Sequence, residues 1–142
     1  MRYRITLLTT AVVAMMLFLS PPATANEEAE IQAAAAAETW LALIDQGDIA
    51  KSWDTAAALF KGAVSQEQWV QKVGPVRQPL GKLISREVAS SKYATSLPGA
   101  PGGEYVVIQF KASFENKASA VETVTPMKDP DGEWRVGGYF IK

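Results

Sequence analysis

The chain contains no cysteine and no histidine among its 142 residues. Without cysteine, neither disulfide bonds nor thiolate nucleophiles are available, so burial of apolar side chains must stabilise the fold. Without histidine, a Ser-His-Asp triad is excluded, and so are zinc or haem sites that rely on histidine or cysteine ligands. Any catalysis would therefore rest on Asp, Glu, Lys, Arg, Tyr or Ser side chains.

The one long apolar run lies at the N-terminus and is typical of an export signal. Arg2 and Arg4 precede an apolar run over residues 5–19, and Ala23-Thr24-Ala25 supplies the small-x-small pattern of a cleavage site. About 15 apolar residues are too few to span a bilayer comfortably, which takes about 20. We predict that residues 1–25 are a cleaved signal peptide, with an uncleaved anchor as the alternative. The mature protein is then periplasmic or secreted, with no stable insertion in the membrane.

The predicted mature chain, residues 26–142, is weakly acidic and fits one domain. Removing Arg2 and Arg4 leaves 12 basic residues against 15 acidic residues, which gives a net charge of −3. Nucleic-acid binding needs a concentrated basic face, so this balance argues against it and against binding to an anionic membrane surface. The length lies in the usual range of a single domain. We expect no nucleic-acid partner, no cofactor and no metal.

Helical periodicity begins at once in the mature chain. Glu27 and Glu28 place negative charge where the N-terminus of a helix favours it. Apolar side chains then recur at three- and four-residue spacing, which predicts one buried stripe. The stripe consists of Ala33, Ala37, Trp40, Leu41 and Ile44. Gly47 is expected to end this first helix, since glycine commonly follows the last helical residue.

Two further helices are predicted before the sheet. Asp48 can cap the second helix, over residues 49–60. Its inward stripe is Trp53, Ala56, Ala57 and Phe60. Ser65-Gln66-Glu67-Gln68 is a capping box that opens the third helix, and Gly74-Pro75 is expected to close it. This third helix carries Trp69, Val70 and Val73.

Beyond Gly81 the apolar period changes to two, which predicts strands. The predicted strands cover residues 83–93, 104–115, 119–127 and 133–141. Residues 97–103 form a loop rich in Pro and Gly, Asn116-Lys117 a tight turn, and Asp129-Pro130-Asp131-Gly132 a second turn. This order predicts an α+β domain in which three N-terminal helices pack on one face of a four-stranded antiparallel meander sheet.

Counting outward from the two turns predicts the register of the sheet. The predicted neighbours are Ala112 with Val121, Phe110 with Thr123, Met127 with Trp134, and Val121 with Phe140. Pro126 fits an inner strand badly because it lacks a donor, so the strand either ends near Thr125 or contains a bulge. In this register Lys111 and Glu122 form a cross-strand ion pair on the outer face, with Tyr139 beside Glu122.

The predicted outer face is more apolar than free solvation requires. It is either an ordinary amphipathic face or an interface with a second copy of the chain or with another envelope protein. The candidate interface residues are Tyr105, Val107, Lys111, Glu122, Val124, Tyr139 and Ile141.

Short motifs spread over nearly the whole mature chain resemble, taken together, a known family. They include Trp40-Leu41, Ser52-Trp53, Arg77-x-Pro79-Leu80-Gly81, Leu97-Pro98-Gly99-x-Pro101 and Asp131-Gly132-x-Trp134-Arg135-Val136. Together, and in this order, these motifs resemble those of the bacterial exported family catalogued as domain of unknown function 4019. The succession of helices and then strands is also similar to the cone-shaped cystatin-like and nuclear-transport-factor-2-like folds. That resemblance implies a bent sheet around a helix with a pocket at its open end, in folds that serve enzymes, binding proteins and assembly modules alike.

The candidate ligand pocket combines aromatic and basic side chains. It consists of Trp40, Trp53, Trp69, Arg77, Arg86 and Trp134. Aromatic residues at this spacing either line a pocket or form the core. Arg77 and Arg86 either clamp an anionic ligand or make structural ion pairs, for which the candidate carboxylates are Asp45, Asp54 and Glu122.

No residue stands out as catalytic, so the favoured hypothesis is a non-enzymatic envelope protein. It would bind a small apolar or anionic ligand, or a protein partner, through the cone mouth or the outer sheet face. The first alternative is a small cone-fold enzyme that uses Asp or Glu together with Arg. The second alternative is a structural module that dimerises.

Overall fold

The computed structural model describes residues 24–142 as an α+β domain. Its helices are α1 (Ala25–Asp45), α2 (Ile49–Asp54), α3 (Ala58–Ala63) and α4 (Gln66–Arg77), followed by a 3₁₀ turn (Gln78–Leu80). Its strands are β1 (Leu83–Ala94), β2 (Tyr105–Phe114), β3 (Lys117–Lys128) and β4 (Trp134–Ile141). They form one antiparallel sheet in the order β1-β2-β3-β4, which confirms the predicted meander.

The predicted signal peptide lies outside the described residues, except for Thr24 and Ala25. Within the described part of the chain, no helix is both long and apolar enough to cross a membrane.

The first predicted helix is confirmed in its stripe and in its end. At the start of α1 in the unprocessed chain, the Thr24 hydroxyl accepts a bond from the Glu27 backbone N–H, and the Glu27 carboxylate accepts one from Thr24 N–H, at 2.8 Å. These reciprocal bonds satisfy donors that a helix N-terminus leaves free. All five residues of the predicted stripe are buried. Gly47, with φ of +84°, follows the helix in a conformation that glycine adopts without strain.

The second predicted helix is wrong as a single element, because the structure breaks it into α2 and α3. At the break, the Ala57 N–H donates to the Val136 carbonyl at 2.8 Å, and the Ala58 N–H donates to Asp129 at 3.4 Å. These bonds to distant residues replace bonds within a continuous helix. The inward stripe is confirmed for Ala56, Ala57 and Phe60, whereas Trp53 is half-buried.

The third predicted helix, α4, begins as predicted and ends later than predicted. Ser65 and Gln68 exchange the two bonds of the capping box. The helix continues through Pro75 to Arg77, so the prediction that Gly74-Pro75 closes it is wrong. Proline removes a single donor from the helix, and the ion pair of Arg77 with Asp45, at 2.7 Å, holds the added turn against α1.

The register between β2 and β3 differs by one residue from the prediction. The turn lies at Glu115-Asn116 and makes Phe114 face Lys117, whereas the prediction placed it at Asn116-Lys117. The observed neighbours are therefore Ala112 with Ala120 and Phe110 with Glu122, instead of Ala112 with Val121 and Phe110 with Thr123. Because side chains alternate with a period of two, this shift exchanges the two faces of β3. Ala120, Glu122 and Val124 thus point inward.

The predicted neighbours of β3 and β4 are also wrong by one or two residues. Trp134 lies opposite Lys128 instead of Met127, and Phe140 lies opposite Thr123 instead of Val121. The register within the pair shifts between Thr125 and Pro126, because β4 contributes one extra residue, Gly137, at this point. The irregularity predicted at Pro126 is therefore present, with the added residue in the neighbouring strand. Phe140 consequently points outward and is 60% exposed.

The core is built from tryptophans of the helical layer and the inner face of the sheet. Val106, Ile108, Phe110, Ala112 and Phe114 of β2 are all buried, as predicted. Against this face pack the indoles of Trp40 and Trp69, whose centroids are 5.9 Å apart. Both indoles bond to Ser52: Trp40 donates to its carbonyl at 2.7 Å and Trp69 to its hydroxyl at 2.9 Å. Ser52 is itself fully buried and thus organises the aromatic core.

Replacing Ser52 by alanine should destabilise the fold more than its size suggests. The Trp69 indole would lose its acceptor in a buried place, which costs about 1–3 kcal/mol. Urea unfolding followed by tryptophan fluorescence measures the change in the free energy of unfolding. The control is Thr39→Ala, which removes an exposed hydroxyl that donates to the Ala35 carbonyl at 3.0 Å, with an expected loss of about 0.5 kcal/mol or less. Equal losses in the two variants would contradict the proposed role of Ser52.

Candidate functional site

Five polar side chains form a continuous chain of bonds between the helical layer and the sheet. We call this chain the ion network: Asp45 of α1, Arg77 of α4, Arg86 of β1, Glu122 of β3 and Tyr139 of β4. Each residue comes from a different helix or strand. The ion network therefore connects five of the eight α-helices and strands in the described residues.

Glu122 forms the sheet end of the ion network. The observed register turns its side chain inward, where it has no solvent exposure. A buried carboxylate is strongly unfavourable unless partners balance its charge. One oxygen accepts a bond from Arg86 Nε at 2.8 Å, and the other accepts a bond from the Tyr139 hydroxyl at 2.6 Å. Both oxygens of the carboxylate are thus engaged.

Asp45 forms the helical end and is shared by two arginines. Arg86 bonds to it with both terminal nitrogens, at 2.7 Å and 3.0 Å, in the bidentate geometry that guanidinium and carboxylate favour. Arg77 Nη2 donates to the same carboxylate at 2.7 Å. The Arg77 guanidinium also lies over the Phe114 ring, 4.3 Å from its centroid. Its side chain is only 6% exposed, so this charge is held inside the protein.

The ion network shifts the proton equilibria of two members. Burial alone would lower the pKa of Arg86, but the bonds and negative charges of Asp45 and Glu122 outweigh it and raise that pKa. Burial raises the pKa of Tyr139, and the charge of Glu122 and its bond to the hydroxyl raise it further, with partial opposition from Arg77 and Arg86. Arg86 is therefore held as a cation and Tyr139 as a neutral donor.

A surface cleft of about 460 Å³ adjoins the helical end of the ion network, and we call it the Arg77 cleft. It lies where α1 and α4 end, beside the turn between β2 and β3. Its lining includes Ile44, Asp45, Gly74, Arg77, Lys82 and Glu115. The Asp45–Arg77 ion pair thus forms part of a wall that a ligand can approach.

The predicted pairing of Arg77 and Arg86 with Asp45 and Glu122 is confirmed. Asp54, the third candidate carboxylate, lies apart from them and accepts a bond from Gln66 at 2.9 Å.

The four candidate tryptophans do not join the arginines in one pocket, since none of them lines the Arg77 cleft. Trp40, Trp69 and Trp134 are buried in the core, although Trp40 and Trp134 also border a separate surface cleft. Trp53 is half-buried and donates to the Val64 carbonyl at 2.7 Å. The indoles mainly fill the interior, and no single pocket unites the six predicted residues.

The seven candidate interface residues do not share one face. Glu122 and Val124 point into the core, and Tyr105 is buried, with its hydroxyl bonded to the Pro101 carbonyl at 2.6 Å. The predicted Lys111–Glu122 ion pair is wrong, because Lys111 lies opposite Val121 on the outer face. The predicted neighbourhood of Tyr139 and Glu122 is confirmed, on the inner face. Tyr139 and Ile141 are half-buried on that same inner side, and Val107 is half-buried on the outer one.

Sequence reasoning missed Gly74, Lys82 and Glu115 as residues of the cleft. The β2–β3 turn brings Glu115 beside the start of β1, where its N–H donates to the Lys82 carbonyl at 3.0 Å. Gly81, with φ of +74°, allows this close approach, because a Cβ there would lie 3.0 Å from Glu115 Cβ. The Arg77-x-Pro79-Leu80-Gly81 motif was the available signal, since its arginine and its glycine both border the cleft.

A family model described as "Protein of unknown function (DUF4019)" matches residues 36–139 of the chain. No curated protein and no solved structure matches the chain. The matched residues include the whole ion network.

Alkaline pH should destabilise the fold through Tyr139. Its pKa is raised in the folded state, so its stabilising contribution is complete below the unfolded value, about 10, and is lost as the pH rises above it. Urea unfolding from pH 8 to about pH 12 should show a fall in the free energy of unfolding that Tyr139→Phe makes shallower.

The matched control for this alkaline loss is Tyr93→Phe. The pKa of Tyr93 is also raised, but its hydroxyl bonds to Glu104 at 3.2 Å, away from the ion network. This variant should keep most of the alkaline loss. If Tyr139→Phe instead retains the full wild-type loss, the hydroxyl does not stabilise buried Glu122 as described.

Proposed function

Since the chain belongs to the DUF4019 family of proteins of unknown function, we propose its role from its geometry: it is a non-enzymatic exported protein that binds a ligand at the Arg77 cleft. Export to the periplasm or the medium is part of this proposal and rests on residues 1–25. The ligand is a small molecule or a short segment of a protein partner.

The proposal rests on one observation: a cleft with the volume of a small-molecule site has a charged ion pair, held in place by further bonds, in its wall. Its volume of about 460 Å³ falls within the roughly 300–1,000 Å³ of typical small-molecule sites. Its wall contains the Asp45–Arg77 pair, whose geometry the rest of the ion network holds in place. Preorganised polar groups lose little freedom when a ligand binds, so they favour recognition.

The bonding of the carboxylates favours binding over catalysis. Asp45 accepts bonds from two arginines, and Glu122 accepts bonds from Arg86 and Tyr139. A general acid or base must exchange a proton with substrate, and a carboxylate enclosed by such donors is badly placed for that task. The alternative of a small enzyme using Asp or Glu with Arg therefore has less support than a binding site.

A second candidate function, dimerisation or docking of an envelope protein, rests on an apolar surface at the edge of the sheet. Val76 of α4 is 48% exposed and Phe140 of β4 is 60% exposed, and both border a groove of about 330 Å³. Exposed apolar patches on soluble proteins commonly mark interaction sites. This groove, next to edge strand β4, replaces the predicted outer-face surface as the second candidate.

Filling the Arg77 cleft should abolish ligand capture without unfolding the protein. Gly74 borders the cleft, and a Cβ added there meets no atom within 4 Å apart from its chain neighbours and the backbone of its own helix. Gly74→Leu should thus place a side chain in the cleft. Leucine favours helices, but a side chain directly before Pro75 disfavours helical backbone, so circular dichroism has to show that α4 is retained. The matched control is Gly62→Leu, in α3, where a Cβ likewise meets no atom within 4 Å.

Native mass spectrometry of the mature protein, purified from its exporting host, provides the measurement. We expect an additional bound mass on the wild type and on Gly62→Leu, and none on Gly74→Leu. A bound mass retained by Gly74→Leu, or no bound mass on the wild type, contradicts the proposal. A dimer lost on Phe140→Ser would support the second candidate function instead.

A further inference from the structure

We infer that the ligand of the Arg77 cleft is a small organic carboxylate, anchored by the guanidinium of Arg77. This inference rests on the proposed function and specifies the class of its ligand. It follows from unfilled hydrogen-bonding capacity at one buried cation, from the charges around it and from the shape of a guanidinium.

Arg77 keeps donors that nothing in the described chain uses. Its Nη2 donates to Asp45, but Nε and Nη1 have no acceptor among residues 24–142. These two nitrogens carry three N–H bonds. Unlike a buried lysine or histidine, an arginine cannot lose its proton to relieve this deficit. Buried donors without acceptors are unfavourable, so an acceptor that reaches them gains more than it would at a hydrated surface.

The local charges favour an anionic acceptor. Asp45 carries one negative charge and serves both Arg77 and Arg86, while Glu122 lies at the far side of Arg86 and is occupied by Tyr139. The ion network as a whole is balanced, with Arg77 and Arg86 against Asp45 and Glu122, but Arg77 has a single carboxylate partner and shares it with Arg86. An incoming anion would give Arg77 a second, charge-assisted partner.

The cleft also sets the size and the charge of that anion. Lys82 borders it and makes no ion pair within residues 24–142, whereas Glu115 adds a negative charge to the same lining. The charges of Lys82 and Glu115 offset each other, so the lining favours a ligand with one negative charge over a ligand with two or three. Ile44 and Ile49 supply apolar lining for the remainder of the ligand. A carboxylate with a small apolar body combines these requirements.

The chemistry of arginine favours a carboxylate over a spherical anion. A planar guanidinium and a planar carboxylate can align two parallel hydrogen bonds, as Arg86 and Asp45 already do in this protein. The Arg77 plane is held in place by the Phe114 ring. Nε and Nη1 of Arg77 are covered, so a ligand reaches them only after a small movement of the cleft lining, in which Gln78 and Lys82 have exposed side chains.

The test is an NMR titration of the ¹⁵N-labelled mature protein with benzoate, with benzamide as a neutral molecule of the same shape. We expect saturable shifts at Gly74, Arg77 and Lys82 with benzoate and none with benzamide. Equal binding of the two probes, or no saturable shift with benzoate, overturns the inference.

Three variants locate the charge that benzoate recognises. Arg77→Lys keeps the positive charge but loses the planar fork, so we expect its affinity for benzoate to fall about tenfold or more. Glu115→Gln leaves the ion network intact and removes a repelling charge, so it should bind benzoate more tightly. The control, Arg135→Lys, changes an arginine that pairs with Asp129 and Asp131 and should bind like the wild type.

The outcomes separate this inference from the proposed function. Unchanged affinity in Arg77→Lys, or unchanged or weaker affinity in Glu115→Gln, overturns the carboxylate site. If benzoate fails while Gly74→Leu still removes the co-purified mass, the cleft is the binding site and only the ligand class is wrong. If both tests fail, the proposed function falls together with the inference.

Discussion

Glu122 lies on the inner face of β3 without solvent exposure, so its charge has to be balanced inside the protein. Arg86 of β1, two strands away, and Tyr139 of the adjacent strand β4 supply that balance, and Arg86 extends it to Asp45 at the end of α1. Asp45 in turn holds Arg77 at the end of α4. The helical layer and the sheet are therefore joined by directed bonds as well as by apolar packing, which on its own has little directional preference.

The two arginines of the ion network differ in how many of their hydrogen-bond donors are used, and this difference matters for function. Arg86 bonds with all three of its nitrogens to Asp45 and Glu122. Arg77 has one partner and lies against the aromatic face of Phe114, at the wall of a cleft. Arg86, whose nitrogens are all engaged, thus serves stability, whereas Arg77 has donors left for a ligand. One ion network can hold the fold together and present a binding group at its end.

The parts of the fold that depend on neighbouring residues could be predicted from the sequence, and the parts that depend on distant ones could not. The stripe of α1, the capping box at Ser65 and the inner face of β2 follow from local spacing. The break after α2 depends on acceptors at Asp129 and Val136, which no local pattern reveals. The sheet register depended on which polar pair forms a turn, and an error of one residue placed Glu122 on the wrong face. The residues that form the ion network could be predicted from the sequence. The cleft could be recognised only from the three-dimensional path of the chain, which brings the ends of α1 and α4 beside the β2–β3 turn.

The measurement that tests this account most directly is a double-mutant cycle on Arg86 and Glu122. Arg86→Met leaves the buried charge of Glu122 with only the neutral Tyr139 hydroxyl and should lower the free energy of unfolding by about 3–5 kcal/mol. Glu122→Met leaves Arg86 its two bonds to Asp45 and should cost less. The double variant removes both charges and should be much more stable than the sum of the single losses predicts, by at least about 1 kcal/mol. Losses that add within about 0.5 kcal/mol would show that the two side chains act independently, and would contradict a buried ion network as the connection between helices and sheet.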